Sequence, residues 1–262
     1  MKALLPAIAA LSILHAAPLL AATDEFVEIE TRPGVTVGLM VAKPAGETVA
    51  AAILLIGGGG KLGLWRGAGT RSGNFLVRAR GLFADRGVLA VLVDVPSDRR
   101  RDGLDGFRGT EEHYNDLAAV LRWLRARTPA PVWLIGTSRG TVSMGHVAGR
   151  LKIDGAVFSA TVVRKSRRRP EVALDGDLER IAAPVLVVHH REDGCVVTPV
   201  ARLDRLTGRL TASPKVETML FEGGGPTESE PCQARSAHGF FGIEDKVADA
   251  IVGWMRANAP RQ

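Results

Sequence analysis

The strongest constraint on the fold is an alternation of two patterns along the chain. Short, continuous apolar runs rich in Val, Ile and Leu take turns with longer segments in which apolar residues recur every three or four positions. The runs predict strands at 26–30, 35–42, 50–56, 88–93, 131–135, 156–158, 185–189 and 216–221. The longer segments predict helices at 73–86, 111–127, 142–149 and 243–257. Such alternation predicts an α/β fold with a mostly parallel central sheet and helices on both faces.

Length and composition limit what else the chain can be. With 262 residues, 46% hydrophobic and 24% charged, it fits a single globular domain and excludes a disordered, collagen-like or coiled-coil chain. The segment 163–180 is polar and long enough for a loop or small lid, so we expect no large cap domain. The net charge of +6 comes largely from arginine runs at 99–101 and 164–169, which are either solvated loops or an anion-facing rim. No nucleic-acid-binding motif accompanies them and aromatic residues are only 5%, so no nucleic-acid partner is expected.

The N-terminus has the pattern of a secretory signal peptide. Lys2 precedes an apolar run, and Ala21 and Ala22 end that run before polar residues begin. We therefore assign residues 1–22 to a signal peptide and 23–262 to the mature domain, with a retained apolar anchor as the alternative. The protein is then periplasmic or secreted, without stable membrane insertion after cleavage.

Export to an oxidising compartment would determine the state of the two cysteines. Cys195 and Cys232 are an even pair, and an oxidising compartment favours a disulfide between them over two free thiols.

Chemistry in such sheets is placed at the carboxyl ends of the strands. After the strand at 131–135 comes Gly136-Thr137-Ser138-Arg139-Gly140, a G-x-S-x-G pattern followed by a predicted helix. A nucleophile on a sharp strand-to-helix turn needs small neighbours, because a Cβ atom on either side would clash. The helix that follows stabilises an anion at its N-terminus. Ser138 is therefore the candidate nucleophile, and the alternative is an ordinary glycine-rich turn.

The strand order, the turn at Ser138 and the residues that follow resemble the α/β-hydrolase superfamily over residues 26–257. In that superfamily an acid and then a histidine follow the nucleophile along the chain. The resemblance implies Asp193 as the acid, after the strand at 185–189, with its neighbour Glu192 as the alternative. It implies His238 as the base, since this histidine lies between the last strand and the closing helix. A Cys195–Cys232 bridge would then tie the acid loop to the base loop.

The resemblance also implies a serine hydrolase that needs neither a metal nor a cofactor. The backbone N–H of Arg139 would supply one oxyanion donor, and Gly58 or Gly59, in the glycine run after the strand at 50–56, would supply the other. Hydrolysis of a small-molecule carboxylic ester or acyl substrate is the leading expectation. A peptidase, an acyltransferase or a non-catalytic binding protein of the same fold are the alternatives. Trp65 and Phe240 either line the substrate pocket or pack in the core.

Residues 58–63 also match G-x-G-x-x-G, the fingerprint of dinucleotide-binding domains. The match requires a helix to begin there and an acidic residue about 20 positions later. Residues 64–69 form a poor helix and Asp94 comes too late, so this reading is disfavoured. The chain has no H-E-x-x-H and no paired Cys/His spacing that would indicate a metal site.

Overall fold

A central sheet organises the protein. The computed structural model describes residues 23–67, 69–167 and 170–260, so the predicted signal peptide lies outside the described residues. Within them, eight strands form one sheet in the order β1-β2-β4-β3-β5-β6-β7-β8. The strands are β1 Thr23–Arg32, β2 Val35–Lys43, β3 Ala50–Leu55, β4 Val88–Pro96, β5 Val132–Thr137, β6 Gly155–Ser159, β7 Val185–His190 and β8 Val216–Phe221. Strand β2 runs antiparallel to both β1 and β4, and the pairs from β4 to β8 are parallel, which confirms the mostly parallel sheet.

The four predicted helices are present with ends shifted by at most two residues, and one short helix was not predicted. The helices are α1 Phe75–Asp85, α2 Glu111–Arg125, α3 Gly140–Val147, the single-turn α4 Asp204–Thr207 and α5 Glu244–Asn258. Two begin at a side-chain cap. The Asn74 side chain accepts the N–H of Leu76, and the Thr110 hydroxyl accepts the N–H of His113.

Helices cover both faces of the sheet, as the strand pattern predicted. Consecutive residues of β3 point to opposite sides: Ile53 packs in the core beneath α2 and α3, and Leu54 packs in the core beneath α1 and α5. Both side chains are fully buried. A central strand such as β3 is apolar throughout because neither of its faces meets water.

The connection after β6 is where a cap domain over the site would be inserted. The 160–184 segment between β6 and β7 holds only two single helical turns, Ala173–Asp175 and Leu178–Arg180, in its described part. It is a loop rather than a cap domain. None of the helices in the described residues is long and apolar enough to cross a bilayer.

Candidate active site

Ser138 lies on a sharp turn between β5 and α3. Its backbone is in the left-handed region with φ of 51°, which is costly for a residue with a side chain. Hydrogen bonds hold the turn in this conformation. The N–H of Ser138 donates to the carbonyl of Ser159 at 3.0 Å, and the hydroxyl of Thr141 donates to the carbonyl of Ser138 at 2.6 Å. The predicted strand-to-helix turn is therefore present.

The glycines around Ser138 are required by close backbone contacts. A Cβ atom on Gly140 would lie 2.0 Å from the carbonyl oxygen of Leu55, and one on Gly136 would lie 2.5 Å from Sδ of Met144. Gly57, on the loop after β3, is the third such position. A Cβ atom there would lie 2.8 Å from Cβ of Ser138 and 3.3 Å from its Oγ. These contacts explain both glycines of G-x-S-x-G and show that the glycine loop after β3 touches Ser138.

His238 and Asp193 form a hydrogen-bonded pair. His238 lies on a single turn, Ala237–Gly239, after β8, and its Nδ1 is 3.0 Å from Oδ2 of Asp193. The Asp193 side chain is fully buried. It also accepts the hydroxyl of Thr198 at 2.9 Å and the N–H of Cys195 at 2.9 Å. A carboxylate held in this way can fix the tautomer of His238, with the proton on Nδ1 and Nε2 left to accept another.

The surroundings of Asp193 keep it ionised. Burial alone would raise its pKa, but the hydrogen bond and charge of His238 and the N–H of Cys195 outweigh burial, so the pKa of Asp193 is lowered. His189 also faces this carboxylate, with Nδ1 at 3.8 Å from Oδ2. Burial lowers the pKa of His189 to about 4, and its Nε2 accepts the N–H of Thr161 at 2.9 Å. His189 is therefore neutral at pH 7 and carries its proton on the nitrogen that faces Asp193.

Ser138 and His238 line the same cavity, which has a volume of about 330 Å³. The glycine loop and polar side chains surround it. Its lining includes Gly57, Gly58, Gly59, Gly60, Lys61, Ser72, Asn74, Phe75, Gln233 and Gly239. Among the described residues, no hydrogen bond joins the Ser138 hydroxyl to His238. The structure thus brings the predicted nucleophile and base to one cavity, without a hydrogen bond between their side chains.

Three backbone N–H groups are candidates for an oxyanion hole. The N–H of Gly60 donates to the carbonyl of Gly57 at 3.1 Å and is engaged in the turn. The N–H groups of Gly58, Gly59 and Arg139 have no acceptor among the described residues. These are the three donors that the sequence indicated, and they remain available to a ligand.

A disulfide joins Cys195 to Cys232, with 4.5 Å between their Cα atoms. Cys195 follows the acid and Cys232 lines the cavity, so the bridge connects the acid loop to the base loop. In the described part of the chain, Asp193, Cys195 and His238 are the one group of three residues whose potential metal-ligating atoms cluster. The Cys195 sulfur is in the disulfide and is not the thiolate that a metal would need.

Several residues near the site carried no sequence signal. Arg108 is 1% exposed and donates to the carbonyl of Gly58 and to Oγ of Ser143. Arg78, in α1, donates to the carbonyls of Ala234 and Gly239 on either side of His238. Isolated arginines in a sequence resemble surface arginines, so only the fold identifies Arg108 as a buried anchor and Arg78 as a half-buried one.

The aromatic residues that were candidates for the substrate pocket pack against other side chains instead of lining the cavity. Phe240 is fully buried, and its ring centroid lies 4.9 Å from that of Phe75. Trp65 packs against a small cluster that includes Leu104 and Phe107. The basic runs contain ion pairs: Arg100 contacts Glu28 at 2.9 Å.

Comparisons with known proteins bear on the fold. No protein-family model matches the chain, and no curated protein sequence matches it. Solved structures do match the chain. An α/β serine hydrolase homologue from Coxiella burnetii is 20% identical with a TM-score of 0.63, and the match covers 88% of this chain and 97% of that one. A cold-adapted esterase from an Arctic intertidal metagenomic library is 19% identical with a TM-score of 0.62, covering 92% and 96%.

The acylaminoacyl peptidase of Pyrococcus horikoshii is 14% identical with a TM-score of 0.62, covering 93% of this chain and 43% of that one. The identities are low, but the coverage extends over nearly every strand and helix described above. The chain has the α/β-hydrolase fold.

Proposed function

We propose that the protein is a serine hydrolase that cleaves small-molecule carboxylic esters, with Ser138 as nucleophile, His238 as general base and Asp193 as the acid that orients it. One observation carries the proposal. A strained serine between β5 and α3 opens into a cavity shared with a histidine, and that histidine is held by a buried carboxylate. Strain at a positive φ persists only where the surroundings enforce it, and such sites are commonly functional.

The first half of the reaction follows from the positions of the protons. Asp193 accepts a hydrogen bond from the Nδ1–H of His238, so Nε2 is free to take the proton of the Ser138 hydroxyl. Ser138 Oγ then bonds to the ester carbonyl carbon, and the carbonyl oxygen becomes an oxyanion. The N–H of Arg139 and an N–H of Gly58 or Gly59 would stabilise that charge. The imidazolium then gives its proton to the alkoxy oxygen of the ester. The bond between the carbonyl carbon and that oxygen breaks, and the alcohol leaves.

The second half repeats these steps with water. His238 Nε2 takes a proton from water as its oxygen attacks the acyl-enzyme carbonyl, and then gives that proton to Ser138 Oγ as the acid product leaves. The missing hydrogen bond between Ser138 and His238 fits this scheme, because such bonds often tighten only when the substrate is bound. No step requires a cofactor.

The disulfide supports an oxidising location, so we further propose that the predicted signal peptide directs the protein to the periplasm or out of the cell. A peptidase and an acyltransferase are alternatives on the same triad, and one similar structure is named as an acylaminoacyl peptidase. A cavity of about 330 Å³ with the polar side chains of Ser72, Asn74 and Gln233 in its lining favours a small ester over a long acyl chain.

The test is the intact mass of the mature protein after treatment with a fluorophosphonate. We expect one adduct on the wild-type protein and none on Ser138→Ala. Ser159→Ala is a matched control, because it removes another buried hydroxyl, one with no hydrogen-bond partner among the described residues, and leaves the nucleophile in place. A panel of ester, thioester, peptide and acyl-acceptor substrates then separates the chemistries. A folded, oxidised wild-type protein without an adduct would contradict the proposal and favour a binding protein.

A further inference from the structure

The proposed oxyanion hole is built from two separate segments. Gly58 and Gly59 belong to the loop after β3, and Arg139 belongs to the turn before α3. An oxyanion is stabilised only if donors from both segments lie at hydrogen-bond distance from one point. Something must therefore hold the glycine loop at a fixed position relative to α3.

Arg108 contacts both segments. Its Nη2 donates to the carbonyl of Gly58 at 3.0 Å, and its Nη1 donates to Oγ of Ser143, a residue of α3, at 2.8 Å. The side chain is 1% exposed, so both bonds lie in an interior where charged hydrogen bonds are strong. A planar guanidinium holds its two N–H groups at a fixed separation and can act as a rigid spacer.

The bond to Gly58 also sets the direction of a proposed donor. The carbonyl of Gly58 and the N–H of Gly59 belong to one planar trans peptide and point in opposite directions. With the carbonyl turned toward Arg108, the N–H of Gly59 points away from Arg108, and Gly59 lines the cavity that Ser138 also lines. The next peptide is held as well, because Leu104 N–H donates to the carbonyl of Gly59 at 3.0 Å.

Ser143 is in turn held by His113, whose Nε2 lies 2.9 Å from the Ser143 hydroxyl. Burial and the charge of Arg108 lower the pKa of His113 to about 3, so this imidazole adds no second positive charge beside the guanidinium. The set of Gly58, Arg108, Ser143 and His113 thus runs from the glycine loop into the core between α2 and α3.

We propose that Arg108 is the positioning residue of the oxyanion hole: it fixes the Gly58–Gly59 peptide relative to α3 and orients the Gly59 N–H toward the substrate carbonyl. This inference rests on the proposed serine hydrolase function. Arg108 acts through the peptide and does not touch the substrate, so its loss should weaken binding of the transition state more than binding of the ester.

The experiment compares Arg108→Met, Arg108→Lys and Ser143→Ala with the wild-type protein. The measured quantities are kcat and KM for p-nitrophenyl acetate, the inhibition constant of a methyl trifluoromethyl ketone, and the thermal midpoint. The ketone forms a tetrahedral adduct on serine whose oxyanion uses the same donors. We expect Arg108→Met to lower kcat and to raise the inhibition constant by about 10- to 100-fold each, below the full loss of one donor. KM should change by less than about 3-fold, since ground-state binding does not depend on the hole.

The other variants and one stability control distinguish a positioning role of Arg108 from plain destabilisation. Arg108→Lys keeps one charged donor and should recover part of the loss, and Ser143→Ala should show a smaller loss of the same kind. Leu124→Ala empties a buried position of α2 in the core and serves as the stability control. It should lower the thermal midpoint without a comparable change in ketone binding.

Each outcome has a distinct meaning. An unchanged ketone inhibition constant in folded Arg108→Met overturns the inference alone, as does an equal loss in Leu124→Ala. If Arg108→Met does not fold, an unchanged constant in Ser143→Ala overturns it. A wild-type protein that neither hydrolyses the ester nor binds the ketone overturns the inference together with the proposed function.

Discussion

His238 reaches Asp193 across 45 residues of sequence, and the two side chains meet with Nδ1 3.0 Å from Oδ2. The disulfide between Cys195 and Cys232 joins the same two loops, two residues after the acid and six residues before the histidine. A long-range contact between two loops costs conformational entropy each time it forms. The disulfide removes most of that cost and keeps the imidazole within reach of the carboxylate.

Removal of the disulfide should therefore lower both stability and turnover. In the chain-entropy relation, a bridge with a sequence separation of 37 contributes about 3–4 kcal/mol to the free energy of unfolding. We expect Cys195→Ala combined with Cys232→Ala to lower the thermal midpoint, and to lower kcat more than it raises KM. Calorimetry and steady-state kinetics on the double variant, beside wild-type protein with and without reductant, measure both effects. Reduction that changes neither the midpoint nor kcat would contradict this role.

Asp193→Asn should abolish most of the activity while the fold remains. An amide in place of the carboxylate favours the wrong tautomer of His238, and the corresponding change in a serine protease lowers kcat by about 10⁴-fold. Its neighbour offers a matched control, because Glu192 is exposed and Glu192→Gln makes the same chemical change one position earlier. We expect Glu192→Gln to retain kcat. Equal losses in the two variants, measured by steady-state kinetics on proteins with equal circular dichroism, would rule out Asp193 as the acid.

Much of this architecture could be predicted because strong local patterns specify it. A strand such as Ala50–Leu55 is apolar throughout, since both faces of the sheet are covered there, and a turn such as Gly136–Gly140 has glycines where a side chain would meet close neighbours. These patterns located the sheet, the four long helices and the turn that carries Ser138. The candidate acid and base followed from the resemblance to the α/β-hydrolase superfamily, which implies where along the chain each should lie.

Residues that act through long-range contacts could not be predicted in this way. Arg108 and Thr198 hold the glycine loop and Asp193, yet no spacing in the sequence distinguishes them from surface residues. Gly57 belongs to a run of four glycines, and only the fold shows that it is the one against Ser138. The sequence left pocket and packing roles open for Trp65 and Phe240; Phe240 fills the core, and the half-buried Trp65 packs against a small cluster.

Gly57→Ala should impair the nucleophile more than it impairs folding. The new methyl group would lie 2.8 Å from Cβ of Ser138, so either the glycine loop or the serine must move. A displacement of about 1 Å at the reacting atoms can lower the rate by about 10²-fold. The measurement is the second-order rate of fluorophosphonate labelling, compared with the thermal midpoint. We expect labelling to slow by at least about 10-fold.

Gly81→Ala is the control for this substitution. Gly81 lies inside α1 with open space around its Cα, so alanine should fit and stabilise the helix by about 0.5–1 kcal/mol. Labelling of Gly81→Ala should match the wild-type rate. If Gly57→Ala labels as fast as Gly81→Ala, the contact between the glycine loop and Ser138 does not constrain the nucleophile.

The protein should lose stability as the pH falls below neutrality, and the two buried histidines should account for part of that loss. Burial lowers the pKa of His189 to about 4 and that of His113 to about 3, whereas an exposed histidine has an ordinary pKa of about 6.5. Between these values the unfolded chain binds protons that the folded protein does not. The stability contributed by each group is therefore complete above about pH 6.5 and is lost as the pH falls toward its folded pKa.

Each histidine adds a slope that approaches about 1.4 kcal/mol per pH unit to the free energy of unfolding between about pH 6 and 4. The lowered pKa of Asp193 acts in the same direction, but only as the pH falls below its ordinary value near 3.8.

Urea unfolding at pH 7, 6, 5 and 4 separates these contributions. His189→Gln removes one titrating group, so its free energy of unfolding should fall less steeply between pH 6 and 5 than that of the wild-type protein, whatever its value at pH 7. The exposed residue Arg191→Gln changes a charge nearby without removing a buried histidine and should keep the wild-type slope. Parallel curves for His189→Gln and the wild-type protein would mean that His189 is protonated alike in the folded and unfolded states, and that burial does not hold it neutral beside Asp193.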